Sequence, residues 1–354
     1  MTMRVLVLCI YVIAICSCGH ISAHIKSDSD TAGGNTPVSG YYNYGDTGVQ
    51  SAGIRMIPIT TPVGSFKVWT KRFGNNPRVK VLLLHGGPAM GHEYMECFES
   101  FFPKEGFEFY EYDQLGAPYS DQPNDSSLWT IPRYVDEVEQ VRKAIGADST
   151  NFYVLGNSWG GILAMEYALK YQQNMKGMIV ANMVASCPEY NQYAHDVLAK
   201  QMDPKVLQEI TGIEARKDFS NPRYEELLMP HFYKQHICRL QEWPEPVARA
   251  FARLDNTNVS KQIYVIMQGP SEFGLSGRLL NWDIKNRLKE IRIPTLMVGA
   301  RYDTMDPKAM EEQSKMVQNG QYLYCANGSH LSMWDDQKVF MGGVIKFIKD
   351  VDAR

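Results

Sequence analysis

Hydrophobic and polar positions alternate in blocks from about residue 54 onward, and the blocks predict strands separated by helices. The predicted strands are 79–84, 107–112, 152–155, 178–181, 295–299 and 321–324. The predicted helices are 134–145, 162–171, 308–317 and a closing helix that begins near Val339. Apolar strands separated by helices are typical of an α/β protein, with a mostly parallel sheet covered by helices on both faces.

The alternation stops between residues 182 and 290. This stretch is rich in tyrosine, glutamate, proline and helix-forming residues, and it holds no apolar run like that at 79–84. We therefore expect a sheet core formed by 51–181 and 291–354, interrupted by a mostly helical cap at 182–290.

The amino terminus has the pattern of an export signal. Arg4 precedes an unbroken apolar run at 5–15, which is far shorter than the about 20 residues of a membrane-spanning helix. The sequence predicts a signal peptide at 1–23 and, because 24–50 is rich in Ser, Asp, Gly and Tyr, a tether or irregular lead-in there.

The end of the signal region allows two kinds of processing. Ile15-Cys16-Ser17-Cys18-Gly19 resembles a bacterial lipobox, in which the cysteine corresponding to Cys18 is lipidated, and this favours a periplasmic or cell-envelope lipoprotein. The alternative is ordinary secretion with cleavage after Ala23. A lipid on Cys18 is the only membrane attachment that we expect, since no other stretch is long and apolar enough to span a bilayer.

Composition excludes several function classes. The 354 residues are 44% hydrophobic, and 36 Lys and Arg against 39 Asp and Glu give a formal charge of −3. A nucleic-acid-binding protein would need a basic excess, so we expect no nucleic-acid partner. None of the 7 cysteines forms a C-x-x-C pair. We therefore expect no metal site, and the chemistry predicted below requires no cofactor.

A candidate nucleophile stands in Gly156-x-Ser158-x-Gly160, where a predicted strand runs into a predicted helix. Glycines on both sides relieve crowding in the tight turn that exposes such a serine. The loop His85-Gly86-Gly87-Pro88, which ends an earlier strand, could supply a backbone N–H to an oxyanion, alongside the N–H of Trp159. The alternative is a glycine-rich turn with an incidental serine.

A serine at such a turn needs a base and an orienting acid, in the chain order serine, acid, histidine. Asp303 and His330 fit because each follows a predicted strand, at the edge where an open α/β sheet binds ligands. Other acids in this region are Asp306, Asp335 and Asp336, interpreted as loop or helix-start carboxylates. Other histidines are His231 and His236, interpreted as cap-surface or packing residues, and His85, interpreted as a brace for the oxyanion loop.

Four segments together resemble the prolyl aminopeptidases (proline iminopeptidases) of the α/β-hydrolase superfamily, and in particular the branch of the tricorn-associated aminopeptidase. The segments are His85-Gly86-Gly87-Pro88, Asp113-Gln114-Leu115-Gly116, Gly156-Asn157-Ser158-Trp159-Gly160-Gly161 and Met267-Gln268-Gly269-Pro270-Ser271-Glu272-Phe273. The last one is the most specific, because most α/β-hydrolases have nothing like it. The resemblance implies an α/β-hydrolase fold with an inserted cap.

The resemblance also implies a role for each site residue. Ser158 would be the nucleophile, His330 the general base and acid, and Asp303 the carboxylate that orients His330. The N–H groups of Gly87 and Trp159 would form the oxyanion hole. Glu272 would hold the charged amino terminus of the substrate, since a desolvated carboxylate distinguishes a free amine from an internal amide by charge.

The chain departs from the family pattern at three positions. Thr304 stands where the family often has a second glutamate directly after the triad aspartate, and Ala89 and Pro118 replace usual glycines. We expect a serine exopeptidase that releases the amino-terminal residue, with proline expected, from short peptides through an acyl-enzyme. The alternatives are an amino-acid amidase or carboxylesterase on the same triad, and a non-catalytic surface-binding lipoprotein.

Overall fold

A computed structural model describes residues 53–354. The predicted signal peptide, the predicted tether and the lipidation candidate Cys18 lie outside these residues. In the described part of the chain no helix is long and apolar enough to cross a membrane.

A single sheet of eight strands organises the described residues. The strands are β1 (Ile54–Thr61), β2 (Gly64–Phe73), β3 (Lys80–Leu84), β4 (Glu108–Asp113), β5 (Phe152–Asn157), β6 (Gly177–Ala181), β7 (Thr295–Ala300) and β8 (Gly320–Cys325). Their order across the sheet is β1-β2-β4-β3-β5-β6-β7-β8, and every pair from β4-β3 onward is parallel. The predicted fold class, an α/β protein with a mostly parallel sheet, is confirmed.

Eleven α-helices accompany the sheet in the described residues. They are α1 (Ile131–Ala144), α2 (Trp159–Tyr171), α3 (Cys187–Tyr193), α4 (Pro204–Ala215), α5 (Pro222–Leu228), α6 (Lys234–His236), α7 (Glu245–Asn256), α8 (Asn258–Met267), α9 (Pro307–Met316), α10 (Ser332–Asp335) and α11 (Gln337–Asp352). Apolar side chains of the sheet are buried in two large clusters, each of which also includes side chains from helices. Both faces of the sheet are therefore covered, which explains why its inner strands are apolar throughout.

The hairpin of β1 and β2 is not among the strands predicted from the sequence. β1 pairs antiparallel with β2, and β2 pairs antiparallel with β4, so the edge of the sheet differs from its parallel centre. Ile57 and Ile59 are buried, while Pro58 and Thr60, which alternate with them, are exposed. That alternation is the period of two expected for a strand with one buried face.

The segment 182–294, called the cap segment below, lies between β6 and β7 and contains α3 to α8. Helix starts in it follow local signals: Asp203 accepts hydrogen bonds from the N–H groups of Lys205 and Val206, with Pro204 in the first helical turn. The segment has a small apolar cluster of its own, which includes Ile210, Leu227 and Phe232. The domain limits drawn from the sequence, with a cap at 182–290, stay a prediction.

Ion pairs join α7 of the cap segment to residues that follow the oxyanion loop. Arg249 contacts Glu93 at 3.1 Å and Glu96 at 2.8 Å, and Arg253 contacts Glu93 at 2.5 Å. Glu93 is buried and also accepts a hydrogen bond from the Tyr119 hydroxyl at 2.9 Å. This group of charges, called the latch below, ties the cap segment to the core beside the candidate site.

Candidate active site

Ser158 lies on a strained turn between β5 and α2. Its backbone has φ 56° and ψ −124°, which side-chain-bearing residues rarely adopt. A Cβ at position 156 would lie 2.0 Å from the carbonyl oxygen of Gly160, and one at position 160 would lie 2.0 Å from that of Leu84. Both glycines of the motif are therefore required by close backbone contact, as expected for a nucleophile turn.

His330 and Asp303 meet beyond the carboxyl ends of β8 and β7. His330 Nδ1 lies 2.8 Å from Asp303 Oδ1, and both side chains are buried. Because a carboxylate only accepts, the histidine proton lies on Nδ1 and Nε2 is the basic nitrogen. Burial alone would lower the pKa of His330, but the charge and hydrogen bond of Asp303 outweigh it and raise that pKa above its ordinary value.

Ser158, His330, Glu272 and Gly87 line one small cavity. Its volume is about 20 Å³, which is room for about one water, since a water occupies roughly 10–15 Å³ by the same measure. The structure thus brings together the predicted nucleophile, the predicted base and the predicted amine-binding carboxylate around one small space. Charges in such a space interact more strongly than they do in water.

The two segments predicted to form the oxyanion hole lie against each other. A Cβ at position 86 would lie 2.9 Å from Cβ of Ser158, so the loop after β3 contacts the nucleophile turn directly. Gly87 has φ 108°, a conformation that favours glycine. Trp159 is the first residue of α2, where backbone N–H groups have no acceptor within the helix.

His85 and Tyr94 brace that loop. The Gln114 N–H donates to His85 Nε2 at 3.1 Å, which leaves Nδ1 to donate to the Gly86 carbonyl at 2.8 Å. Burial lowers the pKa of His85, in agreement with a neutral ring. The Gly86 N–H donates to the Tyr94 hydroxyl at 2.7 Å, which donates in turn to Asn157 Oδ1 at 3.0 Å. The structure places His85 outside the hydrogen bonds that join His330 and Asp303.

Glu272 is a buried carboxylate, with 6% of its surface exposed, and tyrosines hold it from several directions. The Tyr264 hydroxyl donates to Glu272 Oε1 at 2.5 Å, and the Tyr190 hydroxyl donates to the Glu272 carbonyl at 2.5 Å. The Glu272 N–H donates to the Tyr233 hydroxyl at 3.4 Å. Burial raises the pKa of Glu272, while nearby His330 and the Tyr264 hydrogen bond oppose the rise.

Thr304 faces the catalytic pair. Its hydroxyl lies 3.3 Å from Asp303 Oδ1 and 3.2 Å from His330 Nδ1, and the side chain is buried. The family often has a second glutamate at this position. This chain instead has the uncharged Thr304 hydroxyl, which lies within hydrogen-bond distance of Asp303 and His330. Glu272 remains as the carboxylate that lines the catalytic cavity.

Asn182 is a site residue that the sequence analysis missed. It directly follows β6, its side-chain amide donates to Asp303 Oδ2 at 2.7 Å and to the Ser329 carbonyl at 3.1 Å, and its Oδ1 accepts from Ser332 at 2.9 Å. Its φ of 56° is another left-handed conformation. Asn182 directly follows a strand, and the same signal in the sequence pointed to Asp303, so that signal could also have identified Asn182.

The other acids and histidines support the same loops or lie apart from them. His330 N–H donates to the His236 carbonyl at 2.9 Å, and Asp335 accepts from the Ser329 N–H at 3.0 Å. Asp306 directly precedes α9 and accepts from the Lys308 N–H at 2.9 Å. The remaining two are Asp336, which accepts from the Asn327 N–H at 3.0 Å, and His231, which is exposed.

Neither a metal site nor a disulfide is present among residues 53–354. No group of three or more His, Cys, Asp or Glu side chains in this range is placed to hold a metal ion. The four cysteines within it are free and buried: Cys97, Cys187, Cys238 and Cys325.

Comparison with known proteins agrees with this geometry. The family model described as the alpha/beta hydrolase fold matches residues 80–337. The sheet order and the serine turn define the same class, a hydrolase built on an α/β sheet.

Matches to named proteins place the chain in one family within this class of hydrolases. A proline iminopeptidase of Flavobacterium johnsoniae is 74% identical over 297 residues, covering 84% of this chain and 98% of the relative. One of Elizabethkingia meningoseptica is 73% identical over 301 residues, covering 84% and 99%. The crystal structure of a Mycobacterium smegmatis proline iminopeptidase matches with a TM-score of 0.74 and 26% identity, covering 84% and 99%. The chain belongs to the proline iminopeptidase family of α/β-hydrolases, as the motifs predicted.

Proposed function

We propose that this hydrolase releases amino-terminal proline from short peptides. The observation that carries the proposal is the buried carboxylate of Glu272 in the same small cavity as Ser158 and His330. A carboxylate that has lost its water gains most from a charged amine, so a substrate with a free amino terminus is favoured over an internal peptide bond. The names of the relatives support proline as the first residue.

The chemistry follows from the assigned groups. Ser158 Oγ attacks the first peptide carbonyl while His330 Nε2 takes its proton, and Asp303 stabilises the imidazolium that forms. The N–H groups of Gly87 and Trp159 stabilise the oxyanion. The intermediate collapses as the leaving amine takes the proton from His330. Water, activated by the same histidine, then hydrolyses the ester on Ser158 and frees the amino acid.

A pair of substrates tests the need for a free amine. Prolyl arylamide and its N-acetyl derivative differ only in the group that Glu272 would bind. We expect the free form to be cleaved far faster, measured as kcat/KM from aryl amine release. Equal turnover would contradict exopeptidase action and favour an amidase or esterase on the same triad.

A labelling experiment tests the catalytic role against a binding role. A fluorophosphonate probe reacts with an activated serine, so we expect the native protein to be labelled and Ser158→Ala to remain unlabelled. A folded native protein that takes no label would favour a non-catalytic surface-binding lipoprotein.

For location, we propose an exported lipoprotein anchored through Cys18, in the periplasm or on the cell envelope. The support is the sequence: a charged start, a short apolar run at 5–15 and a lipobox-like segment. Metabolic labelling with a fatty-acid analogue in a bacterial host should mark the native chain but not Cys18→Ser. Export without lipid would favour cleavage after Ala23, and retention of the full chain in the cytoplasm would contradict export.

A further inference from the structure

The catalytic cavity, which has room for about one water, is too small to hold a peptide. Its volume of about 20 Å³ lies between Glu272, which would bind the amine, and Ser158, which would attack the carbonyl. In the proposed function, on which this inference rests, the amine of the first residue contacts Glu272 and its carbonyl contacts Ser158, two residues that line that cavity. The chain after the scissile bond must therefore leave it.

A larger groove adjoins the catalytic cavity. It has a volume of about 490 Å³, and Met90 and Phe251 line both spaces. Two other surface cavities, one beside His195 and one beside Asp306, share no wall residue with the catalytic cavity. Methionine is unbranched and flexible, so Met90 suits a wall that must adapt as a peptide passes. We call this space the cap groove.

Most of the side chains that line the cap groove are apolar or aromatic. Leu228 and Leu254 line its interior. Phe219 and Val265, which are 39% and 45% exposed, also line it, and they are among the large apolar side chains that the described residues leave open to solvent. Large apolar side chains exposed together at the mouth of a cavity indicate a surface that binds something apolar.

The charged residues of the cap groove leave a small negative excess. Lys261 and Asp255 pair with each other at 3.3 Å, so their charges cancel. Glu225 is the remaining charged side chain of the lining. An acidic substrate side chain would therefore meet a like charge as well as an apolar wall.

We propose that the cap groove binds the substrate beyond the scissile bond and selects an apolar side chain at the second residue of the peptide. Proline has a small ring that does not reach far from its own backbone, whereas the rest of the peptide must continue to solvent, and the groove opens there at Phe219 and Val265. The groove disfavours an acidic second residue.

Three amidated tripeptides test the selection: Pro-Leu-Gly, Pro-Ser-Gly and Pro-Glu-Gly, with free proline measured by chromatography. We expect kcat/KM to fall in that order, with leucine about tenfold above serine, equivalent to about 1.4 kcal/mol. Burial of part of the leucine side chain in the groove is enough to supply that difference in free energy. Prolinamide serves as the substrate that lacks a second residue.

A pair of variants assigns the selection to the groove. Phe219→Glu places a charge on the groove rim and should reduce the preference for leucine over serine at least threefold. Val339→Glu is the matched control, because Val339 is also 39% exposed but lies on α11, far from the groove in sequence and absent from its lining. We expect Val339→Glu to keep both the rates and the preference of the native protein.

Three results would overturn the inference. One is equal kcat/KM for the three peptides while prolinamide is cleaved, which leaves the proposed function intact. Another is a leucine preference that Phe219→Glu does not change. The third is that Phe219→Glu changes the relative rates on leucinamide and prolinamide but leaves the leucine preference at the second residue unchanged. The groove would then bind the side chain of the first residue. If no substrate releases proline, the proposed function fails and the inference fails with it.

Discussion

The core and the cap segment contribute to the site in different ways. Ser158, Asp303 and His330 follow β5, β7 and β8 of one sheet, and backbone bonds and close glycine contacts fix the turns that carry them. Glu272 comes from the cap segment and is held mainly by tyrosine hydroxyl groups from other elements. The groups proposed to make and break bonds thus stand on the sheet, and the group proposed to recognise the amine stands on the insertion.

That difference explains how one fold can serve several substrates. A sheet edge holds reacting groups in place through the backbone, whatever the substrate. Part of the cap segment has an apolar cluster of its own, so side chains in that part can change without disturbing the sheet edge. We therefore expect changes in the core to abolish turnover of every substrate, and changes in the cap segment to act on some substrates only.

Ser158→Ala should give the largest effect. We expect kcat/KM to fall by at least about 10⁴ on prolinamide and on aryl esters alike, because removal of the nucleophile of a catalytic triad has effects of this order or larger. Thermal unfolding should show an intact fold. Ser65→Ala, on the exposed face of β2, is the matched control and should keep full activity. Activity above 1% in Ser158→Ala would contradict its role as nucleophile.

Glu272→Gln should have a smaller and selective effect. Glutamine keeps an oxygen for the Tyr264 hydroxyl but carries no charge, so kcat/KM on free-amine substrates should fall about 10- to 100-fold. A small aryl ester without an amine should be cleaved at close to the native rate. Equal losses on the two substrates would show that Glu272 does not recognise the amine. The cap segment would then affect all substrates alike, as the core does.

The same contrast limits what the sequence can predict. Ser158, Asp303 and His330 each follow a strand with a clear local pattern, so their alignment at one edge could be foreseen. Glu272 has no such pattern and was assigned only by family resemblance. Its partners Tyr190, Tyr233 and Tyr264 lie on α3, on the helical turn that ends just before α6 and on α8, and packing brings them together. Nothing in their local sequence indicates a shared target.

Asn182→Gly should give the next largest effect on kcat/KM. Glycine fits the φ of 56° but removes the amide that donates to Asp303 Oδ2. Asp303 would then pair more strongly with protonated His330, so the pKa of His330, already raised, should rise further. The base must be neutral, so the acid limb of kcat/KM should move to higher pH, with about a tenfold loss below neutrality.

A control separates that electrostatic effect from backbone strain. Lys217 has φ 55° in the cap segment, so Lys217→Gly relieves the same kind of strain far from Asp303 in sequence. It should leave the pH profile unchanged. An Asn182→Gly profile that falls uniformly at every pH, without a shift of its acid limb, would assign Asn182 a structural role only.

Arg249→Ala tests the latch and should give the smallest effect. Arg249 is partly exposed, and Arg253 and Tyr119 would still contact Glu93 after its loss. Exposed ion pairs contribute about 0.2–1 kcal/mol, so we expect a decrease of that order in the free energy of unfolding, measured with urea. The decrease should shrink in 1 M salt, because screening already weakens the pair in the native protein.

The latch also decides how closely the cap segment depends on the core. Lys315→Ala, which breaks a surface pair with Glu311 within α9, is the control for the loss of an exposed ion pair away from the latch. If Arg249→Ala alone changed the leucine preference at the second residue, the latch would hold α7, and with it Phe251 and Leu254, in place along the cap groove. If both variants behave alike, the apolar contacts of the cap segment suffice to position the groove, and the ion pairs add only stability.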